Sequence, residues 1–158
     1  MSNIIPPRPR SSAAKRHFTI VASKFNAAYV QGLVDHATQE LRAISHGSSL
    51  TVHEVPGAFE IPIVVRELAL KKNTDAILAF AVIIKGHTAH AENLSRSVTD
   101  ALQRIAIENG VPIVNAVLSL ENEDQARERC LENMINRGTE AARAALEIAN
   151  LMSQLRAK

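Results

Sequence analysis

The residues best suited to chemistry lie in one short stretch, Ile83–Glu92, with the sequence IIKGHTAHAE. A glycine and a threonine there precede a helix-like segment, so backbone N–H groups could face an anion with help from the helix dipole. A plain helix N-cap by Thr88 would explain the same residues. His90 would stand one turn further on, as a general acid or base or simply as an exposed polar residue at a helix start. The stretch predicts an anion site with a proton-transfer group, or an ordinary helix start.

Several other kinds of site are disfavoured by the sequence. His87, His90 and Glu92 lack both the His-Glu-x-x-His spacing and a cysteine partner, so we expect no metal site. The chain has no Gly-x-Ser-x-Gly elbow for a serine nucleophile and no Gly-x-x-x-x-Gly-Lys phosphate loop. Cys130 is the single cysteine, which excludes an internal disulfide, suits a reducing compartment and predicts a small buried residue.

The elements that must position this stretch alternate between strands and helices. The apolar run 76–84 predicts a strand buried on both faces, and further strands are expected at 17–22, 50–55 and 112–118. Helices are expected at 27–44, from about 59–61 to 71, at 92–109, at 123–136 and from 138 to about 155. This alternation predicts an α/β fold, a flavodoxin-like three-layer sandwich. Its four-stranded parallel sheet has the order 2-1-3-4 and helices on both faces.

In such a sheet all strand exits lie on one edge, where ligands bind. Phe25 follows the first strand and is either a local core residue or a stacking platform for a heterocycle. Glu60 follows the second strand and is either a partner for the helix dipole or an acceptor for ligand hydroxyls. Four arginines near the C-terminal end of the chain would usually form a solvated face, namely Arg127, Arg129, Arg137 and Arg143. One of them could instead bind a phosphate through two hydrogen bonds.

Residues 1–16 differ in composition from the rest of the chain. They contain three prolines and precede the first acidic residue, Asp35, so we expect a flexible basic arm followed by one domain over 17–158. The sequence of the arm contains no interleaved aromatic residues, so it does not predict nucleic-acid binding. We expect the arm to be solvated or to lie on a neighbouring subunit. With neither a membrane-length apolar run nor a secretory signal, we expect no membrane partner and a cytoplasmic protein.

Longer motifs resemble the lumazine synthase family. The two most specific are VPGAFEIP at 55–62 and IKGHTAH at 84–90. Shorter ones are FN at 25–26, ENEDQA at 121–126, NRG at 136–138 and EIAN at 147–150. Together they cover about residues 17–155 in the family's order, which is more specific than a shared fold.

The resemblance implies a transferase of riboflavin biosynthesis. Such enzymes condense 5-amino-6-(ribitylamino)uracil with 3,4-dihydroxy-2-butanone 4-phosphate, release phosphate and water, and use no metal or organic cofactor. The resemblance assigns residues to each part of the substrates. The pyrimidine would be bound by Phe25, Val82, Ile83 and Ile84, and the ribityl chain by Ala58, Phe59 and Glu60. The phosphate would be bound by His87, Thr88 and Arg129. The resemblance further implies that His90 moves protons, and that Asn115 and Arg129 come from the adjacent subunit.

The chain departs from the family's usual pattern in the phosphate region. Ala91 stands where an aromatic residue is usual, His87 where a small residue is usual, and Lys85 where arginine is more frequent. These departures predict altered substrate affinity or rate rather than another fold. They also keep open a non-catalytic flavin- or lumazine-binding assembly protein. A further alternative is an archaeal-type riboflavin synthase. The full match to both long motifs argues against this alternative.

The resemblance also implies pentamers, or cages of twelve pentamers, with active sites shared between neighbours. The short connection 131–138 favours a cage. The proline-rich arm argues the other way, because proline lacks the N–H that would extend a sheet. We expect a homopentamer and keep the icosahedral cage as the alternative.

Overall fold

A computed structural model of the protein describes residues 3–86 and 89–157. Its sheet consists of β1 (His17–Ser23), β2 (Ser49–Val55), β3 (Ala76–Ile84) and β4 (Ile113–Leu120). All the strand pairs are parallel and the order is β2-β1-β3-β4. The helices are α1 (Ala27–Ile44), α2 (Ile61–Lys71), α3 (His90–Asn109), α4 (Glu123–Cys130) and α5 (Arg137–Arg156). The predicted α/β class and strand order are confirmed.

The sheet separates two hydrophobic clusters because successive strand residues point to opposite faces. Ile20 and Phe80 lie on one face and pack with residues of α1, α4 and α5. Val21 and Ala79 lie on the other face and pack with residues of α2 and α3. Residues 76–83 of β3 are buried, so the expectation of a strand covered on both sides is confirmed. Because β3 lies between β1 and β4, its exit lies inside the row of strand exits rather than at an end.

Most boundaries follow the sequence pattern closely. Helix α1 spans the predicted residues, and α2 begins at Ile61 after a 3₁₀ turn over Ala58–Glu60. Pro62 lies in the first turn of α2, where the missing N–H has no intrahelical partner in any case. Helix α3 begins at His90 rather than 92, and β4 extends to Leu120 rather than 118.

The prediction of one continuous helix over 123–136 is wrong, because α4 ends at Cys130. Asn136 provides the physical reason. Its buried side chain accepts hydrogen bonds from the backbone N–H groups of Gly138 and Thr139 and thereby caps α5. Its Nδ2 donates to the Glu132 carbonyl at 3.0 Å. Residues 131–136 therefore form a turn that redirects the chain.

The basic arm contacts the C-terminal part of α1 and the middle of α5. Ser12 forms an isolated bridge with Ser45, and Arg8 pairs with Glu40 at 2.7 Å. Arg143 of α5 pairs with the same carboxylate at 2.8 Å. These contacts give the arm a position on its own subunit, while its flexibility stays a prediction.

Candidate active site

A cavity of about 640 Å³ lies at the carboxyl ends of β1, β2 and β3, beside the beginnings of α3 and α4. Eight of the predicted site residues line it: Phe25, Ala58, Phe59, Glu60, Val82, Ile83, Ile84 and His90. They come from four separate segments of the chain, which the parallel topology brings to one edge. The structure therefore brings the predicted pyrimidine, ribityl and proton-transfer residues together, while their roles remain predictions.

The exit of β1 is a tight turn ending at Asn26, whose φ of 56° is left-handed. Asparagine tolerates this conformation better than most residues. The Asn26 side chain makes no capping bond to α1 and donates from Nδ2 to the Val82 carbonyl at 2.6 Å. Phe25 is 72% exposed and lines the cavity, so it is not a core residue. Of its two predicted roles, exposure excludes the core role, and stacking on a heterocycle stays a prediction.

The exit of β2 is joined to that of β1 by a hydrogen bond from the Lys24 N–H to the Val55 carbonyl at 2.8 Å. The following Pro56-Gly57 leads into the 3₁₀ turn that carries Ala58, Phe59 and Glu60. Oε2 of Glu60 lies only 3.1 Å from the place where a Cβ on Gly57 would be. Glycine therefore leaves room for this carboxylate at the cavity wall. The Glu60 carboxylate can accept hydrogen bonds at this wall, and its role toward ligand hydroxyls stays a prediction.

The exit of β3 is tied to that of β4. The Lys85 N–H donates to the Leu120 carbonyl at 2.8 Å, and Lys85 Nζ lies 2.5 Å from Glu121 Oε1. The hydrogen bond to Glu121 and the charge of this carboxylate raise the pKa of Lys85. Lys85 does not line the cavity, whereas Val82, Ile83 and Ile84 do. The cavity wall made by β3 is thus apolar apart from its backbone groups.

The beginning of α3 closes another side of the cavity with Gly86, His90, Ala91 and Leu94. His90 is the first residue of the helix, is exposed, and can reach a ligand in the cavity. Ala91 is largely buried and contributes a small apolar side chain to the wall. The predicted phosphate residues His87 and Thr88 lie outside the residues that the structure describes.

Two predicted residues lie outside the cavity of their own chain. Nδ2 of Asn115 donates to Thr99 Oγ1 at 3.1 Å, and its Oδ1 accepts from the Val117 N–H. Arg129 donates from Nη2 to Asn3 Oδ1 at 3.3 Å. Its Nη1 is buried and has no hydrogen-bond partner among the described residues. That these two side chains serve a neighbouring subunit stays a prediction.

Comparison with known proteins gives a consistent result. The sequence profile of the family described as 6,7-dimethyl-8-ribityllumazine synthase matches residues 15–153. The chain is 36% identical over 147 residues to the 6,7-dimethyl-8-ribityllumazine synthase of Buchnera aphidicola subsp. Baizongia pistaciae (strain Bp), covering 92% of each protein. It is 38% identical over 137 residues to the protein of the same name from Azoarcus sp. (strain BH72), covering 86% of this chain and 85% of the relative. The chain belongs to the 6,7-dimethyl-8-ribityllumazine synthase family.

Membership in the lumazine synthase family accounts for the motifs at the strand exits. Several further residues line the cavity beside the predicted ones without having been assigned a role toward a ligand. Ser23, Asn26, Gly57 and Gly86 belong to predicted strand exits, whereas Leu94 and Glu123 were expected only as helix residues. The bond of Asn26 to β3 was not predicted, because it joins residues 56 positions apart.

The remaining reactive groups have structural explanations. Cys130 is fully buried, and burial raises the pKa of its thiol to about 12, against a smaller opposing effect of Arg129. A thiol with this pKa is a poor nucleophile at neutral pH, which confirms its expected structural role. Among residues 3–86 and 89–157, no group of three or more His, Cys, Asp or Glu side chains is placed to hold a metal ion. Within the same residues no helix is both long and apolar enough to cross a membrane.

Proposed function

We propose that this protein condenses 5-amino-6-(ribitylamino)uracil with 3,4-dihydroxy-2-butanone 4-phosphate to form 6,7-dimethyl-8-ribityllumazine. The observation that carries the proposal is the common cavity of an exposed ring, a carboxylate, strand backbone and a histidine. This combination suits a heterocycle with a polyhydroxyl chain. The family to which the chain belongs supports the same reaction.

The heterocycle is assigned to the space between Phe25 and the end of β3. The 72% exposed ring offers a face for stacking, and the backbone of Val82–Ile84 offers hydrogen-bonding groups that do not ionise. The ribityl chain then extends along Ala58–Glu60, where Glu60 accepts hydrogen bonds from its hydroxyls. The two ends of the substrate are thus held by different strand exits.

The chemical steps require orientation and proton transfer. The amine of the uracil attacks the ketone, water leaves as the imine forms, and phosphate is later eliminated. His90, exposed at the start of α3, is the proposed group that moves protons during these steps. His87 and Thr88 are proposed to hold the phosphate near the N-terminus of the same helix. Arg129 of an adjacent subunit is proposed to provide the bidentate positive charge.

Subunit sharing of the site is part of the proposal. A groove between α2 and α3 is lined by Phe59, Ile63, Val98, Ala101 and Ile105, and Ile63 is 60% exposed. An apolar groove adjoining the candidate site supports contact with another subunit there. We propose a homopentamer, with a larger cage as the alternative, and a cytoplasmic location, which the single free cysteine supports.

The test is to mix the purified protein with both substrates and follow the absorbance and fluorescence of the lumazine product. We expect product formation well above the uncatalysed background. His90→Ala should lower kcat by about 100-fold. Arg129→Ala should produce a larger loss in kcat/KM, because the phosphate then has no bidentate partner.

The opposite result would favour the alternative functions. If product does not exceed the background while the lumazine or riboflavin still binds, the protein is a binding or assembly protein. If two molecules of the lumazine are instead converted to riboflavin, the archaeal-type riboflavin synthase activity is the correct one.

A further inference from the structure

We propose that Asn26 is a positioning residue for the pyrimidine subsite, an inference that rests on the proposed function. Its side-chain amide clamps the exit of β1 to the exit of β3 and thereby fixes Phe25 relative to the backbone of Val82–Ile84. The direct observation is the 2.6 Å hydrogen bond from Asn26 Nδ2 to the Val82 carbonyl. Asn26 would act through these two walls of the cavity rather than on the reacting atoms.

The location of this bond at the end of the β1–β3 pairing supports the proposal. The last residue pair between these strands is Ala22–Phe80, and Val82 lies two residues beyond it. Val82 is buried, so its carbonyl needs a partner once β1 has ended. The Asn26 amide supplies this partner and extends the connection between the strands by a side chain.

The conformation of Asn26 gives a second, independent indication. Asparagine at a helix N-cap usually bonds to backbone N–H groups of the first turn. Asn26 precedes α1 but makes no such side-chain bond. It also has a φ of 56°, which is strained for most side chains. Its amide is therefore directed to β3 instead of to its own helix, and the turn holding Phe25 is set by that bond.

The consequence concerns one substrate more than the other. Phe25 and residues 82–84 are the proposed walls for the heterocycle, whereas the phosphate is assigned to the start of α3. Loosening the clamp should therefore weaken binding of the ribitylaminouracil and leave the butanone phosphate site largely intact. A loss of folding alone would affect both substrates equally.

The variants separate the hydrogen bond from the backbone conformation. Asn26→Gly keeps the left-handed φ without strain but removes the amide. Asn26→Asp keeps the size, but its carboxylate cannot donate to the Val82 carbonyl; once protonated, its O–H can. Lys72→Gly is the matched control, since Lys72 is the other non-glycine residue with positive φ among the described residues (51°) and does not line the cavity.

We expect Asn26→Gly to raise KM for the ribitylaminouracil about ten-fold, with less than a two-fold change in KM for the butanone phosphate. Asn26→Asp should bind the lumazine product about ten-fold more weakly than wild type at pH 8, where its carboxylate is ionised. Lys72→Gly should match wild type in both assays. Equal changes in both KM values, or wild-type affinity for the lumazine in Asn26→Asp at pH 8, would overturn the proposal.

A measurement without substrates keeps this inference separate from the proposed function. Amide hydrogen exchange over residues 81–86 should be faster in Asn26→Asp than in wild type at pH 8 and unchanged in Lys72→Gly. Unchanged exchange in Asn26→Asp would refute the clamp even in an active enzyme. Wild-type protein that forms no lumazine would refute the proposed function, while faster exchange in Asn26→Asp would still support the clamp.

Discussion

The Arg143 guanidinium on α5 donates to the Glu40 carboxylate on α1, with Nε and Oε1 2.8 Å apart. Arg8 of the arm binds the same carboxylate through two hydrogen bonds of 2.9 and 2.7 Å. Burial of Glu40 raises its pKa, but the hydrogen bonds and charges of both arginines outweigh burial, so the net pKa is lowered. One buried carboxylate thus connects the arm, the first helix and the last helix.

Replacing Glu40 should destabilise the protein in a pH-dependent manner. At pH 7, Glu40→Gln should lower the free energy of unfolding by about 2 kcal/mol, because the largely buried Arg143 loses its charged partner. Folding lowers the pKa of Glu40, so the ionised carboxylate stabilises the protein fully at pH values above the pKa of the unfolded state, about 4.3. This stabilisation is lost as the pH falls through the lower pKa of the folded state. Urea unfolding at pH 7 and pH 3 should show the difference between the two proteins narrowing in acid.

The two arginines provide an internal control for this prediction. Arg143 has a side chain that is 17% exposed, whereas that of Arg8 is 58% exposed. Arg143→Ala should therefore lower the urea midpoint clearly more than Arg8→Ala, because exposed ion pairs contribute little. A difference between wild type and Glu40→Gln that is as large at pH 3 as at pH 7 would contradict the electrostatic explanation.

Close packing of α5 on α1 should make Gly138 intolerant of a side chain. A Cβ at this position would lie 2.2 Å from the Leu33 carbonyl oxygen, and backbone cannot move aside as a flexible side chain can. Gly138→Ala should lower the free energy of unfolding by about 3 kcal/mol, measured by urea denaturation. Gly86→Ala is the control for stability, because its Cβ would meet nothing within 4 Å. A stable Gly138→Ala variant would show that the two helices separate easily.

The fold could be predicted because its signals are local. The apolar run of β3 and the regular spacing in α1 specify their own elements, and parallel pairing then follows from the helical crossovers. The position of Pro62 set the start of α2 to within a residue or two. The prediction of where α4 ends failed although its signal is also local: Asn136 caps α5 through the N–H groups of Gly138 and Thr139, and this cap competes with continuation of α4.

The site was predictable in part for a related reason. Parallel topology places strand exits together, so Phe25, Glu60 and His90 could be expected at one cavity. The bond of Asn26 to Val82 could not be expected, because no periodicity connects a turn residue with a carbonyl 56 residues away. Neither Asn115 nor Arg129 lines the cavity of its own chain, and only the family resemblance, not a pattern in the residues, had assigned them to a neighbouring subunit.

Phe25 should affect substrate binding without affecting stability. Its 72% exposure means that Phe25→Ala should change the free energy of unfolding by no more than about 0.5 kcal/mol. KM for the ribitylaminouracil should rise about ten-fold, since stacking of a base on an aromatic ring contributes about 1–3 kcal/mol. Phe25→Tyr should restore binding, and Leu155→Ala is the control at a similarly exposed apolar side chain (62%). An unchanged KM in Phe25→Ala would remove Phe25 from the pyrimidine subsite.

Subunit sharing of the site predicts complementation between two inactive variants. His90 lines the cavity of its own chain, whereas Arg129 does not, so a complete site would combine His90 of one subunit with Arg129 of another. The His90→Ala and Arg129→Ala variants should be unfolded together at equal concentration and then refolded. We expect roughly a quarter of wild-type activity, because random mixing places an intact His90 and an intact Arg129 at about a quarter of the subunit interfaces. Separately refolded variants that are mixed afterwards are the control. Activity no higher than in this control, with mixed oligomers present by native mass spectrometry, would place both residues in one subunit's site.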